Sequence, residues 1–255
     1  MEVFDIHVHT VTKEIKELID YAKKLNVKKM CLLGDVLKYG YNQSEEQVRE
    51  INNLTIELTK KYPEFFIGFC YLNPRNSKKF IEEEIERCIL KNNLKGIKLE
   101  ASVFASDKKV FLIGEIALNL NIPILHHSWN TLAMGKNPNP TCYQTDPEDI
   151  VILARNFPKL TIISAHLRGI DIRGIISYKN HENIYVDTSG AQPVVGIIEY
   201  AVKKIGSERI IFGSDTYYPN GRDLPVQLKA VEKSYIKTGD KEKILFKNFK
   251  RLLKV

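Results

Sequence analysis

Short apolar runs recur along the chain and alternate with longer segments in which apolar residues return every three or four positions. The short runs are VFDIHV (3–8), KKMCLLG (28–34), FFIGFCYL (65–72), LKGIKLE (94–100), IPILHH (122–127), LTIISAH (160–166), IYVDTS (184–189) and RIIFGSD (209–215). Their length and apolar content predict eight strands. The longer segments, such as KEIKELIDYAKKLN (13–26), SEEQVREINNLTIELTKKY (44–62) and KKFIEEEIERCILKNN (78–93), predict helices between them. Ser44 followed by Gln47 has capping-box spacing, Ser77 before Phe80 reads as a second helix entry, and Pro63, Pro123 and Pro158 stand between a helix and the next strand.

Eight strand–helix units in 255 residues predict a fold of the α/β class, a closed (β/α)8 TIM barrel forming a single domain over residues 1–255. A doubly wound sheet is the runner-up. Two segments depart from the repeat. Residues 128–146, SWNTLAMGKNPNPTCYQTD, form a long loop after the fifth strand and a candidate lid or substrate wall. The tail KEKILFKNFKRLL (241–253) predicts a C-terminal extra helix packed on the outside of the barrel.

Side chains alternate along a strand, so His7 and His9 share one face and Ile6 and Val8 the other. The outer face of a barrel strand packs on helices and favours Ile and Val, which turns both imidazoles inward. The same rule places Lys98 and Glu100 inward, groups Ser164 with His166, and groups Ile211, Gly213 and Asp215. These residues fall at the C-terminal ends of their strands, where barrels build their sites. A single buried histidine is most simply a hydrogen-bonded core residue. Charges converging from four strands are costly unless paired or bound to a metal, and several imidazoles with one carboxylate suit a divalent ion of the zinc type.

Composition narrows the setting. With 44% hydrophobic residues the chain can bury a sizeable core, and the net charge of +7 comes from lysines interleaved with glutamates, a solvated surface rather than a nucleic-acid stripe. Cysteines at 31, 70, 88 and 142 show neither C-x-x-C spacing nor disulfide density, which points to a reducing compartment. The first apolar strand begins at Val3 and no run approaches a membrane span, so a cytoplasmic protein without membrane or nucleic-acid partners is expected. Its expected partner is a small-molecule substrate, and a homodimer is compatible with the sequence.

At these positions the chain resembles the amidohydrolase superfamily, in particular the amidohydrolase 2 branch that includes aminocarboxymuconate semialdehyde decarboxylase. The likeness is carried by DIHVHT (5–10), GIKL (96–99), PILHHSW (123–129), FPKLTIISAHLRG (157–169), NIYVDTSG (183–190), IGSERIIFGSDTYYP (205–219) and NFKRLL (248–253). The resemblance implies that His7, His9, His127 and Asp215 ligate a divalent metal, most simply one Zn²⁺ per chain, with Mn²⁺ an alternative. The family's ligand follows the fifth-strand proline by four positions, which selects His127 over His126. His166 matches the residue that contacts substrate or the metal-bound water. Two departures bear on substrate: Arg168 stands where the family often has glycine, and Glu100 where histidine commonly follows GIKL.

The expected activity is hydrolysis of an amide, ester or lactone by metal-activated water, with Asp215 moving the proton and His166 assisting as catalytic residues. Non-oxidative decarboxylation of a carboxylated aromatic is the alternative, since HSW (127–129) resembles the HPW of such decarboxylases. A phosphoesterase or TatD-type nuclease and a non-catalytic metal-binding protein are further rivals. Lys98, Arg168 and Trp129 are the substrate-binding candidates. Arg173 and Arg222, and the aromatics Tyr143, Tyr217 and Tyr218, are secondary ones. Lys98 is expected to remain an ammonium beside one metal rather than a carboxylated bridge between two.

Overall fold

A computed structural model describes residues 1–10, 12, 15–131, 144–191, 195–218 and 223–255. Tyr143 and Arg222, the Tyr218 side chain and most of the loop after the fifth strand lie outside the described residues. The strands are β1 (Val3–Thr10), β2 (Val27–Leu32), β3 (Phe66–Gly68), β4 (Cys70–Leu72), β5 (Ile97–Leu99), β6 (Ile124–His126), β7 (Ile162–Ser164), β8 (Ile184–Asp187), β9 (Ile210–Ile211) and β10 (Thr216–Tyr218). Every ladder is parallel, in the orders β10-β1-β2-β3 and β4-β5-β6-β7-β8-β9.

Two pairs of short strands are each one strand position. β3 and β4 flank Phe69, whose N–H donates to Leu32 O at 2.9 Å while Cys70 N–H turns to Gly96 O at 2.8 Å, so the chain passes from one neighbour to the next. β9 and β10 flank residues 212–215, where Ile6 N–H donates to Phe212 O at 2.9 Å and Asp215 N–H to His7 O at 2.8 Å. These bonds tie the last strand position to the first, and the eight positions read in the sequence form a TIM-type barrel.

The helix entries follow local chemistry. Ser44 caps the helix Glu45–Lys61 in a reciprocal box with Gln47, Ser77 caps Lys78–Ile85, and Asp146 with Pro147 opens Pro147–Asn156. No helix among the described residues is long and apolar enough to cross a membrane. Outward residues such as Val8, Leu32, Leu72, Leu99, Ile124, Ile162 and Val186 join the helices in the larger core. A smaller core fills the barrel with Phe4, Ile6, Cys31, Leu33, Ile67, Phe69, Leu125, Ile163, Ala165 and Ile211.

The structure departs from three local expectations. Ile6 faces inward, because Asp5 pairs with Met30 and Val8 with Leu32, so β1 uses three steps against two on β2. This bulge lets Ile6 fill the barrel while His7 and His9 still point to the rim. Ser164 does not share a face with His166. Its hydroxyl meets Tyr178 Oη at 2.9 Å in the helix layer, and the strand ends there. The C-terminal segment is also more than an outer helix. Ile244 and Leu245 join the outer core, whereas Phe249 and Leu253 enter the inner one, with Phe249 edge-on to Phe4 at 5.3 Å. It therefore stops the barrel at the end opposite the histidines.

Candidate metal centre

The Nε2 atoms of His7 and His9 stand 3.0 Å apart, and Asp215 Oδ1 lies 3.3 Å from the first and 3.4 Å from the second. Asp215 reaches them from a left-handed backbone, φ +59°. Such a conformation is costly for a residue with a side chain and persists where the surroundings enforce it. Here the enforcing bond is Asp215 N–H to His7 O.

The outer nitrogens decide what the inner ones can do. His9 Nδ1 lies 2.8 Å from Gly34 O, which can only accept, so that nitrogen carries the proton. Gly34 presents this carbonyl at φ +76°, and a Cβ there would meet Ile51 Cγ2 at 2.5 Å, so the position admits only glycine. His7 Nδ1 lies 2.7 Å from Asp187 Oδ2. Burial alone would raise the Asp187 carboxyl, but His7 foremost holds it down at about 2, and an ionised carboxylate again only accepts. In the neutral imidazoles both Nε2 atoms are therefore bare lone pairs, aimed at each other and at a carboxylate. Facing acceptors repel unless a cation lies between them.

The donor set thus fits a divalent ion, with the two Nδ1–H partners in the supporting role that orients metal-binding imidazoles. Ionisation follows the same pattern. Burial pushes His9 down. Burial also opposes a charge on His7, but the Asp187 and Asp215 carboxylates outweigh it and raise this imidazole above its usual value. A proton on His7 would supply the positive charge that the spot calls for. Burial works against the Asp215 anion as well, yet His7, His166 and His9 hold it far below the carboxylate range.

His166 adjoins this triad, its ring 5.1 Å from that of His7 and its Nδ1 3.7 Å from Asp215 Oδ2. It turns inward through φ +68° at the residue before the helix Leu167–Tyr178, not through strand alternation. Burial pushes its pKa down to about 3. His127 is one step further out, with Nδ1 3.1 Å from His166 Nε2 and 3.4 Å from Glu100 Oε2. His126 turns its Nδ1 back to the His127 carbonyl at 2.7 Å. The structure therefore brings His7, His9 and Asp215 into one tight group and places His127 beside it through His166.

Lys98, a substrate-binding candidate expected to remain an ammonium, has a fully buried side chain with Nζ 2.7 Å from Glu100 Oε1. Burial would raise Glu100, but Lys98 first, then His127 and His9, hold it at about 2. Arg168, a substrate-binding candidate, donates to Gln227 Oε1 at 3.0 Å and lines a groove of about 630 Å³ between the helices Ile197–Ile205 and Asp223–Lys233. Arg173 pins the base of the long loop through Asp146 at 2.6 Å and Asn130 at 3.0 Å. Tyr217 stacks on His9 at 4.3 Å.

Trp129 does lie over the site, 6.4 Å from the His127 ring and 5.5 Å from that of His166. Its indole rests on Gly169, where a Cβ would come within 2.5 Å of Trp129 Cε3. Gly169→Ala is expected to displace the indole and cost about 1–3 kcal/mol through overpacking. Trp129 is the one tryptophan in the sequence, so its emission spectrum together with the unfolding midpoint checks this directly. Unchanged emission would contradict the packing.

Two carboxylates escaped the reading of the sequence. Asp187 shows the alternation of IYVD, opposite in face to the outward Val186, and that was its available signal. Asp5 lies on β1 just before the bulge. Its Oδ1 accepts His7 N–H and Ser214 N–H, both at 3.0 Å, so it joins the first strand to the last, and burial raises its carboxyl to about 7.

The chain covers 100% of itself and 99% of 2,6-dihydroxybenzoate decarboxylase from Rhizobium at 18% identity and a TM-score of 0.77. It matches dihydroxybenzoic acid decarboxylase from Polaromonas sp., solved with bound manganese, at 18% identity, 99% and 97% coverage and a TM-score of 0.75. It matches 4-oxalomesaconate hydratase from Rhodopseudomonas palustris at 16% identity, 99% and 95% coverage and a TM-score of 0.72. At these identities the likeness establishes a shared fold. No curated relative matches the chain. The family model described as amidohydrolase matches residues 5–255, from the first histidine-bearing strand to the end of the barrel-stopping helix, and the chain belongs to that family.

Proposed function

We propose that this protein is a metal-dependent hydrolase that cleaves an amide, ester or lactone bond of a small substrate, with His7, His9 and Asp215 holding one divalent ion and His127 completing the set. The observation that carries the reading is the pair of bare Nε2 atoms 3.0 Å apart over one carboxylate. Imidazole with carboxylate suits Zn²⁺, and Mn²⁺ is the second choice. A divalent ion bound there supplies Lewis acidity and lowers the pKa of water from 15.7 to about 7.

Asp215 is the group placed to move the proton. Its side chain is 30% exposed, whereas His7 and His9 are buried, so solvent and substrate reach this carboxylate. It is ionised, and it can accept a proton from water and return it to a leaving group. His166, neutral through burial and with its Nδ1–H on the Ser189 hydroxyl oxygen, is placed to accept a hydrogen bond at Nε2 and so orient the attacking water. Trp129 and Tyr217 wall the rim with apolar ring faces.

Non-oxidative decarboxylation is the second reading. It is favoured by the full-length match to two structures named as decarboxylases and by Trp129 over His127 and His166, a surface suited to an aromatic ring. One experiment separates the two. Metal-loaded protein is incubated in ¹⁸O-water with a panel of lactones, amides and carboxylated aromatics. Hydrolysis places ¹⁸O in the product, whereas decarboxylation releases carbon dioxide and leaves the product unlabelled. Carbon dioxide with no label would overturn the hydrolase reading.

A further inference from the structure

Asp187 ends β8 and Ser189 stands two residues later, and both are fully buried behind the histidines. Asp187 is the more heavily engaged of the two. Its Oδ2 accepts from His7 Nδ1 at 2.7 Å. Its Oδ1 accepts His166 N–H at 3.0 Å and Ser189 N–H at 2.9 Å, and the Ser189 hydroxyl also points to it. With two backbone donors already on Oδ1, the Ser189 hydroxyl must donate to that oxygen rather than accept from it. The Ser189 oxygen then has only lone pairs to offer His166 Nδ1, which lies 2.9 Å away.

We propose that Asp187 is a positioning residue that sets the tautomers of two site histidines at once, directly for His7 and through the Ser189 hydroxyl for His166. Both imidazoles, when neutral, are thereby held as Nδ1–H with Nε2 bare, that of His7 facing His9 and Asp215 and that of His166 facing His127 Nδ1. The same carboxylate holds the left-handed backbone of His166 through its N–H, so ring orientation and ring tautomer of that residue share one anchor. His9 is outside this relay, because Gly34 O fixes it independently. The inference rests on the metal reading only for its consequence, since the relay itself consists of hydrogen bonds within the chain.

The two arms are separable. In Asp187→Asn the amide oxygen can keep the bonds at Oδ1 while the NH₂ faces His7 Nδ1. A donor then meets that nitrogen and forces His7 to the Nε2–H form. In Ser189→Ala the acceptor for His166 is lost and His7 keeps its partner. Metal-free protein labelled with ¹⁵N in the imidazoles, read by two-bond ¹H–¹⁵N correlation, reports each tautomer.

In the wild type, read at a pH alkaline enough to leave His7 neutral, His7, His9 and His166 should all be Nδ1–H. Asp187→Asn should switch His7 alone and weaken zinc binding, measured by chelator competition, by about 10- to 100-fold, as expected for loss of a partner behind a metal ligand. Ser189→Ala should release His166 alone and leave zinc affinity at the wild-type value. His7 remaining Nδ1–H in Asp187→Asn, or His166 remaining unchanged in Ser189→Ala, overturns the relay. Wild-type protein with these tautomers that binds no zinc would remove the metal reading and leave the relay standing.

Discussion

Asp215→Asn is expected to lower turnover by at least about 10²-fold, the loss typical of a removed acid–base group, while the protein stays folded. The amide is nearly isosteric and can still sit between His7 and His9. It cannot take a proton from water, and it brings a donor where two bare nitrogens wait. The expected fall is therefore in kcat, with a smaller loss of metal affinity from exchange of an anionic ligand for a neutral one. Steady-state kinetics on an identified substrate, alongside metal content, checks both. A variant turning over near the wild-type rate would remove Asp215 from proton transfer.

Lys98→Met is expected to destabilise the protein by about 3–5 kcal/mol, because it leaves the Glu100 carboxylate buried without its ammonium partner. For a domain of this size that corresponds to a Tm lower by roughly 10 °C. The double variant Lys98→Met with Glu100→Leu should recover much of the loss, since it removes both charges together. Metal content should stay at one ion per chain in both, because the bare nitrogens do not depend on Lys98. Metal falling from two to one in Lys98→Met would show a carboxylated lysine bridge instead.

The same pair sets an acid limit for the metal-free protein. Glu100 is held at about 2 against its usual 4.5, so its contribution is complete above pH 4.5 and is lost as the pH falls through about 2. A midpoint for acid unfolding of Lys98→Met above that of the wild type would bear this out.

The sequence made the barrel legible because each strand was a short apolar run and several helix entries carried local chemistry, as at Ser44 and Gln47. It made His7 and His9 legible because Val8 between them is apolar and packs outward. Alternation failed where the backbone leaves the regular strand. The bulge turns Ile6 inward, and His166 and Asp215 arrive through left-handed residues that no period of two describes. Asp187 stayed hidden for a different reason. A carboxylate that organises imidazoles from behind looks, in sequence, like any polar residue at a strand end. Glu100 was visible as a departure from the family, but its pairing with Lys98 and its approach to His127 required coordinates.

The proposed cation site joins two histidines on the first strand to an aspartate on the last. Its most direct test is elemental analysis by inductively coupled plasma mass spectrometry, after equilibration with zinc and removal of the excess, on the wild type and on His7→Ala and His9→Ala. The predicted result is one tightly held divalent ion per wild-type chain and a sharp loss of occupancy in each variant. A wild type that retains no stoichiometric metal, or two variants that retain as much as the wild type, would contradict the account.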